Sequence, residues 1–413
     1  MSSAFDPLPR RVHGEPAKQD KDTAMRVLFT TQPGSGMFNP LVPFARALID
    51  AGHAVTFACA DCFRPDVEAA GFAAFPAGID WRSDAMTQAF PDVPPPGPER
   101  TRWIIPHWRN TTARATVPDL LALAGRWRPD LFVCEGSEFG GCLAAELLGL
   151  PHAAVGALWF RPQAPIAAPL DVVRRELGLA PDPAGGEVYH YLALAPMPPD
   201  WVAPDEEPPP TAHFIRPQAL DSAAAGKALD WLEALPTARP LVHATLGTTE
   251  VNRTPGLYEA ILAGLAGEPI ELVVGIGRQR DPAEFGPQPA NVRIVQYLSH
   301  AALLPRCAVV VTHGGFGTIM GCLGVGVPMV VIPAQGDQPR NARRCADLGV
   351  GRVVGPDERT PEAIRAAVRA VLADPAYRRN AEGLRDAMAA LPEMDHAVQL
   401  LERLAVEKRP MMA

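Results

Sequence analysis

Lysine is almost missing from this chain: Lys18, Lys21, Lys227 and Lys408 are its four lysines in 413 residues, and arginine supplies the rest of the cationic charge. There is no basic surplus either, since 38 Lys+Arg stand against 46 Asp+Glu for a net charge of −8, which argues against nucleic acid or an anionic membrane as partner. No apolar run reaches the roughly 18 to 20 residues of a membrane span, and no hydrophobic segment precedes Val27, so a cytoplasmic location is expected. Metal-binding patterns are absent. The Cys59-Ala-Asp-Cys62 pair has no second pair to complete a tetrahedral site, and the seven cysteines, mostly in apolar segments, read as reduced core thiols. The sole Asp-Xaa-Asp is Asp20-Lys21-Asp22, and no resident metal or cofactor is expected.

What is present is a repeated α/β grammar. Residues 1–24 are polar and without periodicity, and are expected to form a disordered leader. Then come the apolar strand Val27–Thr30, a turn at Gly34-Ser35-Gly36, a helix over Pro40–Asp50 closed by Gly52, and a strand over Ala54–Cys59. Such a βαβ unit requires parallel strands and a right-handed crossover. Leu131–Cys134 as strand, Phe139–Leu148 as helix and Ala153–Val155 as strand continue the pattern. Between them, the prolines of 92–98 and the aromatic, basic stretch Trp103–Arg109 show no clear period and are expected to shape a pocket rim.

Prolines crowd the stretch Pro196–Pro217 too densely for either regular element. A linker is placed at 204–220, between a first domain over 25–203 and a second over 221–390. The second repeats the grammar with strands over Leu241–Thr245, Ile270–Val274, Val292–Val295, Ala308–Val311 and Met329–Ile332. Residues 391–413 are expected to form a last helix that could pack back on the first domain. The architecture expected is therefore two doubly wound, Rossmann-like α/β domains facing across a cleft, with ligands at the carboxyl ends of the strands.

The strongest local signal is His313-Gly314-Gly315-Phe316-Gly317-Thr318, which follows a strand and opens a helix. Glycines let backbone N–H groups approach an anion closely, and the helix N-terminus adds roughly half a positive charge, which suits a diphosphate. A Walker loop would need Lys-Ser or Lys-Thr after its last glycine, and none is there. One βα unit further on, Asp337-Gln338 pairs an acceptor-only carboxylate with an amide, a combination suited to sugar hydroxyls. Leu246-Gly247-Thr248-Thr249 offers a further backbone and hydroxyl contact.

On these motifs the chain, from about Met25 to Glu402, resembles bacterial nucleotide-sugar-dependent glycosyltransferases of the GT-B fold, in the branch that decorates macrolides and aromatic polyketides. The resemblance implies that Gly36, Thr248, His313, Gly314, Gly315, Gly317 and Thr318 meet the donor diphosphate. It implies that Asp337 and Gln338 hold the donor sugar and that Tyr297, Leu298 and His300 pack the nucleobase. Where uridine-using members carry a Glu for the ribose hydroxyls this chain has Gly321, which favours a thymidine over a uridine donor and a deoxysugar. The family's general base is a His in the turn that reads Gly36-Met37-Phe38-Asn39-Pro40 here, and Met37 cannot accept a proton usefully. Glu135, at the strand end where the family keeps the acid that orients its His, is the first substitute base, though a Glu there could equally cap the helix that follows. His107 is the second.

The resemblance implies a metal-independent transfer, with inversion, to a hydroxyl or amine of a hydrophobic acceptor bounded by Met37, Phe38, Trp103, His107, Trp159 and Phe160. The alternative is a catalytically silent homologue acting as a helper. The partners are thus a nucleotide sugar and a small apolar molecule, and self-association as a homodimer is open.

Overall fold

The structure, a computed structural model, describes residues 24–80, 94, 98–156, 164–218, 230–233, 235–247, 254–277, 280–296 and 298–413. Two parallel sheets organise it. The first contains β1 (Arg26–Thr30), β2 (Ala54–Cys59), β3 (Ala74–Pro76), β4 (Leu131–Glu135), β5 (His152–Val155), β6 (Leu192–Ala195) and β7 (Ala212–Phe214), in the order β3-β2-β1-β4-β5-β6-β7. The second contains β8 (Leu241–Thr245), β9 (Glu271–Gly275), β10 (Val292–Val295), β11 (Cys307–Thr312), β12 (Met329–Val331) and β13 (Gly351–Val353), in the order β10-β9-β8-β11-β12-β13. In both sheets the order reverses beside the first strand, between β1 and β4 and between β8 and β11. Ligands of doubly wound sheets bind at such reversals.

The strands read as apolar runs because both faces of each sheet are covered. In the first sheet Leu28, Phe132, Ala154 and Ala193 face one core, while Val27, Phe29, Val133 and Leu194 face another. Val242, Ala244, Val274 and Val311 of the second sheet pack under the helices Leu257–Leu265 and Pro361–Ala373. The helix Met394–Glu407 lies against Val42–Asp50 of the first domain, where His53 Nε2 meets Glu402 Oε1 at 3.0 Å. Met25 N–H donates to His53 Nδ1 (3.2 Å), so the other ring nitrogen carries the proton that bonds Glu402.

Several elements differ from the sequence reading. The turn at Gly34-Ser35-Gly36 is a short helix, Ser35–Phe38, running through a 3₁₀ turn into Val42–Asp50. The stretch around Trp103–Arg109 is not a loop: it lies within one helix, Pro98–Trp127, which carries Pro106 and Pro118 internally. The proline-dense run contains β7, and β13 adds an edge strand to the second sheet. These strands are three residues each, too short to show a period. All seven cysteines are free thiols. No described helix is long and apolar enough to cross a membrane.

Candidate active site

The reversal in the second sheet brings together the ends of β8 and β11. β11 delivers His313, and the backbone then turns through Gly314 (φ 89°), a conformation that favours glycine, into the helix Phe316–Gly324. The imidazole is clasped between two glycines. A Cβ on Gly247 would lie 2.8 Å from His313 Nε2, and one on Gly315 2.6 Å from the same atom, so neither position tolerates a side chain without moving the ring. Burial lowers the His313 pKa to about 4, while a hydrogen bond to the Thr245 carbonyl opposes the shift. The ring is therefore neutral at pH 7, with one nitrogen donating to Thr245 and the other left as a lone pair. A Cβ on Gly317 would have nothing within 4 Å, so the mouth of the helix is open there.

Asp337 ends the loop after β12 and precedes the helix Gln338–Asp347. Burial pushes its carboxyl above the usual range, against the Asn341 amide, its own N–H and the Phe316 N–H, which favour the charged form. Its Oδ2 accepts from Asn341 Nδ2 at 2.6 Å. That same amide donates to the Gly314 carbonyl at 3.0 Å, so Asn341 joins the glycine loop to Asp337. Sequence reading missed Asn341, whose loop partner is 27 residues away. Gln338 is buried, and its Oε1 accepts from the Ala334 and Gln335 N–H groups (2.8 and 3.1 Å), holding the loop that precedes Asp337.

On the same side, His300 opens the short helix His300–Leu303, and its ring lies edge-on to His243, 5.5 Å between centroids. Both imidazoles are lowered by burial, His243 to about 3. Leu298 packs half-buried against the core beneath. A Cβ on Gly321 would meet Leu304 Cδ1 at 3.2 Å, so apolar packing crowds the place where a longer side chain would emerge. Thr318 sits in the first turn of the Phe316–Gly324 helix. Thr248 and Tyr297 lie outside the described residues.

The reversal in the first sheet is built differently. Glu135 is the last residue of β4 and is buried, with Ser137 Oγ donating to its Oε2 at 2.6 Å. It does not cap the following helix. Glu138 does, accepting from the Gly140 and Gly141 N–H groups at 2.8 and 2.9 Å, which corrects the capping alternative for Glu135. Desolvation raises the Glu138 pKa. A Cβ on Gly141 would lie 2.3 Å from Thr30 Oγ1 and 2.7 Å from Cys134 Sγ, so the strand ends close tightly around that carboxyl.

Met37 is half-buried, and its Sδ lies 3.2 Å from where a Gly34 Cβ would stand. Phe38 is core rather than pocket: its ring packs edge-on to Phe57, Phe63 and Phe72 at 5.2, 5.7 and 6.2 Å, because the short helix turns it inward. Gly36 is exposed, with open space at its Cβ. Trp103 is half-buried in the Pro98–Trp127 helix. The side chain of His107, on that helix, lies outside what is described, as do Trp159 and Phe160. Among the described residues no group of three or more His, Cys, Asp and Glu could hold a metal ion.

An arginine pair attaches the interdomain segment to this site. Arg340 Nε donates to Glu206 Oε1 at 2.8 Å, and Arg344 donates to the Trp201 and Asp200 carbonyls at 3.2 and 2.5 Å. The buried Trp201 ring lies 6.5 Å from Phe316, edge-on.

Two family models match: "Erythromycin biosynthesis protein CIII-like, N-terminal domain" over residues 46–159, and the C-terminal domain of the same description over 259–404. The chain is 31% identical to 4'-demethylrebeccamycin synthase of Lentzea aerocolonigenes, over 92% of this chain and 99% of that one. It is 33% identical to L-demethylnoviosyl transferase of Streptomyces niveus, over 94% and 99%. The solved glycosyltransferase VinC in complex with dTDP superposes with a TM-score of 0.72 at 28% identity, covering 93% of this chain and all of that one.

Proposed function

The chain belongs to the erythromycin biosynthesis protein CIII-like glycosyltransferases, enzymes of antibiotic biosynthesis with the GT-B fold, and from that premise we propose that it moves a deoxysugar from thymidine diphosphate, with inversion, onto a hydroxyl or amine of an apolar natural product. The observation that carries this reading is the helix mouth Gly314–Gly317, with His313 clasped behind it, at the reversal of the second sheet. Backbone N–H groups and the helix terminus there suit a doubly charged leaving group. The thymidine preference is supported by dTDP in the VinC structure and by Leu304, which crowds the space that a ribose-binding Glu would use from position 321.

In the proposed reaction the acceptor oxygen (or nitrogen) bonds to the anomeric carbon from the face opposite the diphosphate. The bond from that carbon to the diphosphate oxygen breaks, and the leaving group keeps the electron pair. The acceptor's proton passes to Glu135, which takes the role that Met37 cannot. Asp337 and Gln338 read the sugar hydroxyls, and His300 with Leu298 backs the nucleobase. In this reading the first domain, 25–203, binds the acceptor and the second, 221–390, the nucleotide sugar. The silent-helper alternative is not favoured by relatives that are themselves transferases and synthases.

The test is to incubate the protein with a panel of dTDP-deoxysugars and of macrolide and polyaromatic aglycones. Mass spectrometry should find an aglycone heavier by one deoxysugar, with stoichiometric dTDP. Calorimetry that detects no uptake of any nucleoside diphosphate would overturn the reading.

A further inference from the structure

Asn341 stands one helical turn after Asp337, and its backbone N–H bonds the Asp337 carbonyl at 3.0 Å, so it belongs to the first turn of the Gln338–Asp347 helix. Its side chain is buried, yet the amide nitrogen is not spent on the helix. One N–H reaches Asp337 Oδ2 at 2.6 Å, and the other reaches the Gly314 carbonyl at 3.0 Å. A primary amide has two N–H donors, and here each has an acceptor. The two acceptors are the carboxylate proposed to read the donor sugar and a peptide of the loop proposed to hold the diphosphate. Of the contacts described, this is the one through which a single side chain touches both.

The loop has little freedom of its own. Gly314 has positive φ, and a Cβ there would lie 2.8 Å from Val331 Cγ1 and 3.4 Å from the Gln338 carbonyl, so loop and helix already approach to contact. The Gly314 N–H is held by Thr312 Oγ1 at 3.2 Å. Its carbonyl is held by Asn341, which fixes the plane of the next peptide, the one that presents the Gly315 N–H. A carboxylate held at 2.6 Å by a buried amide has a set orientation, and the charge-assisted bond favours its ionised form.

We propose that Asn341 is a positioning residue: its buried amide sets the Asp337 carboxylate and the Gly314 peptide in one frame, so that sugar and diphosphate are read together. The inference rests on the reading of Asp337 as the donor-sugar ligand. Asp337 itself sits under a burial penalty that already pushes its carboxyl upward. The charged and titratable groups around it are Arg340, paired with Glu206; Arg344, bonded to Asp347 and to backbone carbonyls; and His313, lowered to about 4. The His313 ring is neutral at pH 7 in the unliganded protein and Glu206 is ion-paired with Arg340, so the loss of the Asn341 donor is read at Asp337 by comparing each variant with the wild type at the same pH.

The test compares Asn341→Leu, Asn341→Ser and Asp337→Asn with the wild type, using calorimetric affinities for dTDP and for dTDP-glucose between pH 6.5 and 9. In Asn341→Leu the carboxyl loses its side-chain donor and keeps only its own N–H and the Phe316 N–H, so its pKa is pushed further upward. Relative to the wild type at the same pH, the affinity for dTDP-glucose should fall about tenfold at pH 7 and by less as pH rises, whereas dTDP alone should change less than threefold. Asn341→Ser, which keeps one donor, should be intermediate and guards against a Leu variant that fails to fold. Asp337→Asn should lose the sugar-nucleotide affinity at every pH. If Asp337→Asn binds dTDP-glucose as the wild type does, the sugar reading of Asp337 fails and the inference with it. If Asp337→Asn is weakened but both Asn341 variants keep the wild type's affinity and pH profile, the positioning role alone is overturned.

Discussion

The reversal of the second sheet is built of glycines and a neutral imidazole with one carboxyl, Asp337, held beside them, whereas that of the first is built of buried carboxyls. Behind the helix mouth stand glycines and an uncharged imidazole, an arrangement that waits for an anion to supply the charge. Across the fold, Glu135 and Glu138 are both buried at the end of β4 beside Thr30 and Ser137. One end suits a leaving group that carries negative charge away, and the other suits a proton that must be taken up. The proposed division of labour, donor at the second sheet and acceptor at the first, rests on this difference in the polar groups at the two sheet ends.

Four experiments can break or sharpen that contrast. His313→Ala removes the imidazole clasped behind the mouth, whose lone pair takes up a proton beside the bound diphosphate, and turnover should fall by roughly 10² to 10³, the size of effect expected when a stabiliser of a developing anion is lost. An unchanged rate would move the leaving-group site elsewhere. On the other side, Glu135→Gln keeps the bond from Ser137 but cannot accept a proton, and transfer should drop about 10²-fold, at the lower end of general-base effects. Single-turnover rates that match the wild type would shift the base to another residue. Met37→His restores an imidazole in that turn and should raise transfer to an aliphatic alcohol about tenfold if the turn faces the acceptor; a folded variant with no gain would show that it does not. The smallest effect concerns pH. The free His313 is lowered to about 4, and a bound diphosphate favours its protonated form, so the pKa rises on binding. Affinity for dTDP should therefore be strongest at low pH and weaken a few-fold as pH climbs through the bound pKa. Calorimetry in two buffers of different ionisation enthalpy would register the proton taken up, and equal apparent enthalpies in both would refute it.

The same contrast explains what the sequence reveals. The glycine loop of the second sheet is contiguous: strand, glycines and helix start fall within twelve residues, Cys307–Thr318, and each step has a local physical signature. Thr360 is likewise readable as the cap of Pro361–Ala373, and its side chain accepts from the Ala363 N–H. The first-sheet site is assembled from distance. Phe38 looks like a pocket aromatic until Phe57, Phe63 and Phe72 are seen around it. Glu135 and Glu138 both fit a cap by spacing, and the direction of the side chains decides between them. The Pro98–Trp127 helix hides because two internal prolines break its pattern and it has no single apolar face to advertise. Asn341 hides for another reason: a lone Asn in a polar turn signals nothing, and its significance depends on a carbonyl contributed by another βα unit.

The packing of the Met394–Glu407 helix bears on how the chain is made. Met394, Ala397, Val398, Leu401, Leu404 and Met411 share a core with Val27, Phe29 and Leu48, more than three hundred and forty positions earlier. During translation the first sheet must wait, one apolar side only partly covered by the Val42–Asp50 helix, until residues 394–411 have emerged, while the covering helices of the second sheet, Leu257–Leu265 and Pro361–Ala373, come before them. The core of the first domain is therefore completed last, and removing Leu404 or Met411 would be felt at Val27 and Phe29.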